Sequence, residues 1–170
     1  MSGSNDHIGE QARRYGTATI GEAVARLREG GLVAVPTETV YGLAADSTNA
    51  AAVAEIYRTK GRPDFNPLIV HAADLDSART LGQFGDLATR FAEALWPGPL
   101  TLVVPRNENC PVAAAVTAGL DTIALRCPAH PVMRELLMES GLFLAAPSAN
   151  RSGGISPTTA QHVIDGLGGK

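Results

Sequence analysis

The sequence predicts a single α/β domain built around a twisted, mixed sheet flanked by helices. Two patterns and one limit of size lead there. Apolar runs too short for helices recur at 32–35, 68–71, 100–104, 122–126 and 142–146, and segments of helical periodicity lie among them at 49–59, 86–95, 130–139 and 158–165. With 170 residues, 45% apolar and 18% charged, the chain can bury one ordinary core. No internal repeat, low-complexity stretch or second domain breaks the alternation.

Residues 1–16 are polar and read as a mobile arm, leaving 17–170 for the domain. Thr19-Ile20-Gly21-Glu22 has capping-box spacing and opens a helix that Gly30-Gly31 closes. In Leu32-Val33-Ala34-Val35 every position is apolar, as in a strand covered on both faces. Asn49, Asp86 and either Ser156 or Thr158 are placed to cap later helices, because a short polar side chain there accepts from an otherwise unpaired N–H. In the 122–126 run, alternation sends Thr122, Ala124 and Arg126 to one face of a strand.

Charge and cysteine usage exclude several classes. Fourteen basic against 17 acidic residues give a net charge of −3, so no global positive field gathers nucleic acid or anionic lipid, and any phosphate binding must be local. Cys110 and Cys127 stand without a C-x-x-C or His-x-His partner, which argues against a disulfide framework or zinc site and for two reduced structural thiols. No apolar stretch approaches the ~20 residues of a membrane span, and the polar start lacks a signal-peptide core. A soluble cytoplasmic protein is expected.

Chemistry-bearing residues cluster just past the apolar runs, where open α/β sheets bind ligands. Lys60-Gly61-Arg62-Pro63-Asp64-Phe65-Asn66-Pro67-Leu68 ends a helix and enters a strand. Basic residues there can be a solvated cap favoured by the helix dipole. The prolines, however, stiffen the connection. An extended Lys-x-Arg sets both cations on one side, with Arg62 as a fork, Lys60 as a point charge and Asn66 as a neutral donor for phosphate oxygens. Pro147-Ser148-Ala149-Asn150-Arg151-Ser152-Gly153-Gly154 follows a buried run and precedes a helix, which suits phosphate or ribose. It is neither a Walker A loop nor a Rossmann turn nor a G-x-S-x-G elbow.

Other residues leave alternatives open. Within Pro36-Thr37-Glu38-Thr39-Val40-Tyr41-Gly42-Leu43, the threonines either meet a ligand or satisfy local backbone groups, and Tyr41 either offers its hydroxyl or packs by its ring. His71 ends an apolar run as either a hydrogen-bonded structural residue or a catalyst. Arg126, on a partly buried strand, needs an anion: a salt bridge or a ligand carboxylate would serve. Trp96-Pro97-Gly98-Pro99 reads as packing and a turn.

In order, PTETVYGL, KGRPDFNPL, WPGPLTLV, LRCPAHP and PSANRSG resemble the YrdC-like domain of threonylcarbamoyl-AMP synthases, from about Ile20 to Gly169. The resemblance implies the YrdC-like fold with a concave ligand cleft. It also implies a nucleotidyltransferase that makes threonylcarbamoyl-AMP and pyrophosphate from L-threonine, bicarbonate or CO2, and ATP. Mg2+ would accompany ATP, with no metal ligand identified among protein side chains. A downstream threonylcarbamoyl transferase complex would then modify tRNA. Carried over by motif, Lys60 and Arg62 are the catalytic pair, and Lys60, Arg62, Asn66, Thr122, Ser148, Asn150 and Ser156 contact ATP. Thr39, His71, Arg126 and Ala146 line the threonine site, Ala146 through its backbone.

The family domain usually continues through a further strand-rich stretch, so a member truncated at its C-terminal end is expected. Two rival readings are a carbamoyl-adenylate domain of a carbamoyltransferase and a non-catalytic double-stranded RNA-binding or ribosome-maturation module. Net charge −3 weakens the RNA reading.

Overall fold

The computed structural model describes residues 19–168, and the arm read at 1–16 lies outside them. The elements are α1 (Ile20–Arg28), β1 (Val33–Val35), β2 (Gly42–Asp46), α2 (Ala50–Lys60), β3 (Ile69–His71), α3 (Leu75–Arg79), α4 (Asp86–Leu95), β4 (Leu102–Pro105), α5 (Ala114–Thr117), β5 (Thr122–Arg126), α6 (Pro131–Ser140), β6 (Leu144–Ala145) and α7 (Ala160–Leu167). The strands form one sheet in the order β1-β2-β6-β3-β5-β4. Its β3–β5 pair is parallel and its other neighbouring pairs are antiparallel, so the sheet is open and mixed, as the alternating pattern predicted.

Period-two alternation gives the sheet two apolar faces. Val70, Ile123, Leu125 and Ala145 join Ala52, Val53 and Ile56 of α2 in the larger core. On the opposite face Val33, Val35, Ala44 and Leu144 meet Leu27 of α1 and Met133, Leu136 and Leu137 of α6. Arg28 ties that second layer together by donating to the carbonyls of Glu139 and Ser140 at 3.3 and 3.2 Å, where α6 leaves carbonyls unpaired. A third cluster, Leu43, Ala149, Val163 and Leu167, seats α7 against the loop after β6. The chain after the sheet therefore buttresses the Pro147–Gly154 segment.

Several local expectations are corrected. β1 is a short edge strand whose two valines face the core beneath α1 and α6 while alternation points Ala34 to the opposite face, where it is exposed; it is not covered on both faces. Thr19 precedes α1 but makes no side-chain cap bond, whereas a capping box forms at Asp74 and Ser77 on α3. Asn49 caps α2 as expected, accepting from Ala51 and Ala52. Gly85, not Asp86, precedes α4, and Thr159, not Ser156 or Thr158, caps α7 by accepting from His162 N–H. Cys110 and Cys127 are free thiols, as expected, and burial, with Asp74 nearby, pushes the Cys127 thiol up to about 12. Among the described residues no helix is long and apolar enough to cross a membrane.

Candidate functional site

The two polar signatures meet through one side chain. Lys60 is the last residue of α2, and Gly61 takes the left-handed conformation (φ 58°) that ends the helix, so Arg62 leaves in a new direction. The extended Lys-x-Arg predicted from spacing is therefore not formed. Lys60 instead reaches across, only 2% exposed, and its Nζ donates to the carbonyls of Ser148, at 2.5 Å, and Asn150. The backbone returns the contact, with Ser152 N–H donating to the Lys60 carbonyl at 2.8 Å. Asn150 stiffens the turn by donating from Nδ2 to the carbonyls of Arg151 and Gly154 at 2.7 and 2.9 Å.

Burial, followed by the neighbouring Arg62 charge, lowers the Lys60 ammonium to about 8. Arg62 folds back over its own loop, donating to the carbonyls of Asn66 (3.5 Å) and Pro67 (3.2 Å). Tyr57 Oη lies 2.9 Å from the carbonyls of both Asn66 and Ala115, which holds that loop to α5.

A second cluster forms on β3 and β5. Parallel register sets His71 beside Arg126, on the face away from Val70 and Leu125. The Arg126 guanidinium is held on three sides. Nε donates to the Gly98 carbonyl at 3.2 Å, Nη1 to Thr39 Oγ1 at 3.4 Å, and Nη2 lies 2.8 Å from Glu38 Oε1. Glu38 Oε1 also accepts from Ala129 N–H at 3.0 Å. Burial alone would raise this carboxyl, but Arg126 and the Ala129 N–H together bring it down to about 2. The anion that Arg126 requires is therefore Glu38, 88 positions earlier in the chain. Gly98 is constrained as well, since a Cβ there would meet the Leu95 carbonyl oxygen at 2.3 Å. The WPGP turn thus does more than pack, because it aims a carbonyl at Arg126.

The loop Pro36–Tyr41 joins the two clusters. Its middle, Glu38 and Thr39, holds Arg126, while its end and the start of β2 are zipped to the loop after β6: Ala149 N–H donates to the Tyr41 carbonyl (2.7 Å) and Leu43 N–H to the Pro147 carbonyl (2.8 Å). Thr39 and Tyr41 are two residues apart, so at most about 7 Å of extended chain separates the anchors. Thr37 resolves to the local role. Its Oγ1 donates to the Val40 carbonyl at 2.7 Å and accepts from the Thr39 and Val40 N–H groups. Tyr41 packs against the Leu43 cluster.

The structure thus brings Lys60, Ser148 and Asn150 together, and separately Thr39, His71 and Arg126. Ala146, just after β6, is buried in the core beneath α1 and α6 with its N–H donated to the Ile69 carbonyl (3.2 Å). Asn66 is half-buried beside Arg62, whereas Thr122 and Ser156 are exposed and make no hydrogen bond to either cluster. Glu38 was the one carboxylate in the PTETVYGL segment, but nothing local tied it to Arg126.

His71 is 2% exposed and its Nδ1 has no hydrogen-bond partner. Burial first, then the Arg126 charge, lowers its pKa to about 4, so it is neutral at physiological pH. The sign of the linkage follows. Between pH 6.5 and 4 the unfolded chain takes up a proton that the folded protein refuses, so stability falls as pH drops through this window. His71→Phe should remove up to about 1.4 kcal/mol per pH unit from the slope, read as urea midpoints between pH 7 and 4.

An open mixed α/β sheet thus carries two polar corners, a loop clasped by a buried lysine and an arginine–carboxylate pair, joined by the Pro36–Tyr41 loop. The chain belongs to the Sua5/YciO/YrdC family, described as "Telomere recombination", whose pattern matches residues 25–170. It is 50% identical over 152 residues to the threonylcarbamoyl-AMP synthase of Bacillus subtilis, covering 89% of this chain and 44% of that protein. It is 48% identical over 149 residues to the Pyrococcus abyssi enzyme of that name, covering 87% of this chain and 43% of the relative. The crystal structure of P. abyssi Sua5 complexed with L-threonine superposes with a TM-score of 0.85 at 46% identity, over 91% of this chain and 45% of that one. The chain thus spans less than half the length of these relatives.

Proposed function

We propose that the protein makes threonylcarbamoyl-AMP from L-threonine, bicarbonate or CO2, and ATP, releasing pyrophosphate, as the cytoplasmic first step of threonylcarbamoyladenosine formation in tRNA. One observation carries the reading. A single loop, Pro36–Tyr41, touches both the Lys60-clasped turn and the Arg126–His71 pair, so a nucleotide tail and an amino acid can lie side by side. Family membership and the identity to named synthases support the same assignment.

The chemistry asks mainly for positioning. Threonine's amine captures CO2 as a carbamate, whose oxygen then attacks the α-phosphorus in line as pyrophosphate leaves; no side chain becomes covalently attached. Arg126, Thr39 and neutral His71 would hold the amino acid, with the Ala146 carbonyl beside them. Lys60 and Arg62 would offset negative charge on phosphate oxygens, and Ser148, Asn150, Asn66, Thr122 and Ser156 would complete the ATP contacts. Lys60 has three ammonium protons and two are given to carbonyls, so one remains for an anion.

Among the described residues no group of three or more His, Cys, Asp or Glu could hold a metal ion. Magnesium would enter on the triphosphate, where it supplies further charge compensation. The product would pass to a threonylcarbamoyl transferase complex acting on tRNA.

The test mixes purified protein with ATP, magnesium and bicarbonate, adding threonine, serine or no amino acid, and follows pyrophosphate. Release that needs both threonine and bicarbonate is the expected result. Release indifferent to both would overturn the assignment.

A further inference from the structure

The Arg126 cluster contains more than an amino-acid contact requires. A guanidinium carries five N–H groups. Three of its nitrogens already face Gly98, Thr39 and Glu38, which leaves one N–H on each terminal nitrogen. Nη2 is buried and makes no hydrogen bond beyond its ion pair with Glu38. Glu38 is equally half-used, because both its contact to Ala129 and its contact to Arg126 fall on Oε1, so Oε2 carries no ligand from another residue. Its side chain is 20% exposed against 8% for Arg126, so the carboxylate can be reached from outside while the cation lies deeper. His71, alongside, is neutral and adds no charge. The cluster therefore sums to one fixed cation and one fixed anion in contact.

That pattern complements a zwitterion better than a simple anion. A free carboxylate near Arg126 gains from the guanidinium but is opposed by Glu38, 2.8 Å from the same nitrogen. An α-amino acid escapes the opposition, because its ammonium compensates the carboxylate that would repel it. Building on the proposed amino-acid site, we propose that Glu38 and Arg126 form a zwitterion receptor, in which Arg126 takes the α-carboxylate and Glu38 Oε2 the α-ammonium of the incoming amino acid, before the ammonium releases its proton to solvent and the free amine takes up CO2. Glu38 is thereby a determinant of amino-acid specificity. Its lowered pKa keeps it ionised throughout the working range.

The test compares three ligands of similar shape on the wild-type protein: L-threonine, 3-hydroxybutyrate, which lacks the amine, and 1-amino-2-propanol, which lacks the carboxylate. Threonine KM and the inhibition constants of the other two are read from pyrophosphate release. Both one-charge analogues should bind at least about tenfold more weakly than threonine, the value of one charge-assisted contact. Glu38→Gln should raise the threonine KM about tenfold, leave the ATP KM unchanged and tighten 3-hydroxybutyrate, because the site becomes net positive. Glu38→Asp should recover part of the preference.

A purely structural role would weaken threonine and 3-hydroxybutyrate together, and that outcome would overturn the proposal. So would wild-type protein that takes either analogue as well as threonine, a comparison that stands even if the variant does not fold. Wild-type protein on which threonine drives no pyrophosphate release would remove the proposed function itself. Active protein without the charge preference would remove only the receptor.

Discussion

Lys60→Met is expected to lower pyrophosphate release by at least about a hundredfold, equivalent to ~3 kcal/mol for a cation facing developing phosphate charge. It should also cost stability, which the sequence reading did not anticipate. The Lys60 ammonium holds two carbonyls, of Ser148 and Asn150, in a position only 2% exposed, and a buried acceptor left without a donor costs about 1–3 kcal/mol. Arg62→Ala should behave differently. Its two contacts to its own loop are 3.2 and 3.5 Å long and partly solvated, so activity should fall without a measurable change in melting temperature.

The pH profile separates the two cations further. With Lys60 lowered to about 8, the wild-type rate should decline as pH rises through 8. In Arg62→Ala the remaining activity should hold to higher pH, because removing a like charge makes the ammonium easier to keep. The stability linkage runs the other way. Between pH 8 and 10.5 the unfolded chain binds this proton and the folded protein does not, so the Lys60 contribution to stability rises with pH while activity is lost. A rate flat from pH 7 to 10, or Lys60→Met melting like wild type, would contradict the clasp.

What the sequence made legible was what local rules decide. Asn49 before an alanine-rich segment opens α2, and the helix starts where cap chemistry puts it. Thr122, Ala124 and Arg126 share a face because strand alternation leaves no other choice. β2 was missed because Gly42-Leu43-Ala44-Ala45-Asp46 has small residues and follows a polar turn; only pairing with Val33–Val35 and with β6 makes it a strand. α3 and α5, of five and four residues, are too short to show a period.

The site divides in the same way. Residue types and spacing pointed to Lys60, Ser148 and Asn150 as an anion site, whereas Thr39, His71 and Arg126 were set at an amino-acid site only by the family resemblance. Sequence reading mistook the direction of Arg62, because a left-handed Gly61 turns the chain where an extended tripeptide would not. It missed Glu38 as the partner of Arg126 and the Gly98 carbonyl as its support, since both contacts join residues 28 or more positions apart. Nothing in either local sequence encodes such a pairing.

Arg126→Lys is expected to have the other largest effect, because the substitution preserves charge and still removes the function of the side chain. Arg126 reaches a carbonyl, a hydroxyl and a carboxylate from three different nitrogens of one plane, and the acceptors come from two separate segments, the Pro36–Tyr41 loop and the WPGP turn. An ammonium is a single point with tetrahedral donors and cannot span that set while also presenting a flat pair of N–H groups to a ligand carboxylate. The threonine KM should rise about a hundredfold, near 2.7 kcal/mol, with ATP binding little changed. Glu38 should feel the loss too, since its carboxyl owes much of its lowered pKa to Arg126 and would titrate closer to its ordinary value.

If the two side chains act as one receptor, their effects cannot add. Glu38→Gln on top of Arg126→Lys should raise the KM much less than the product of the single effects, because the second substitution removes a partner already misplaced. Simple multiplication of the two effects would show that each acts on threonine independently, and a threonine KM in Arg126→Lys within threefold of wild type would show that charge alone, without the planar fork, suffices at this position.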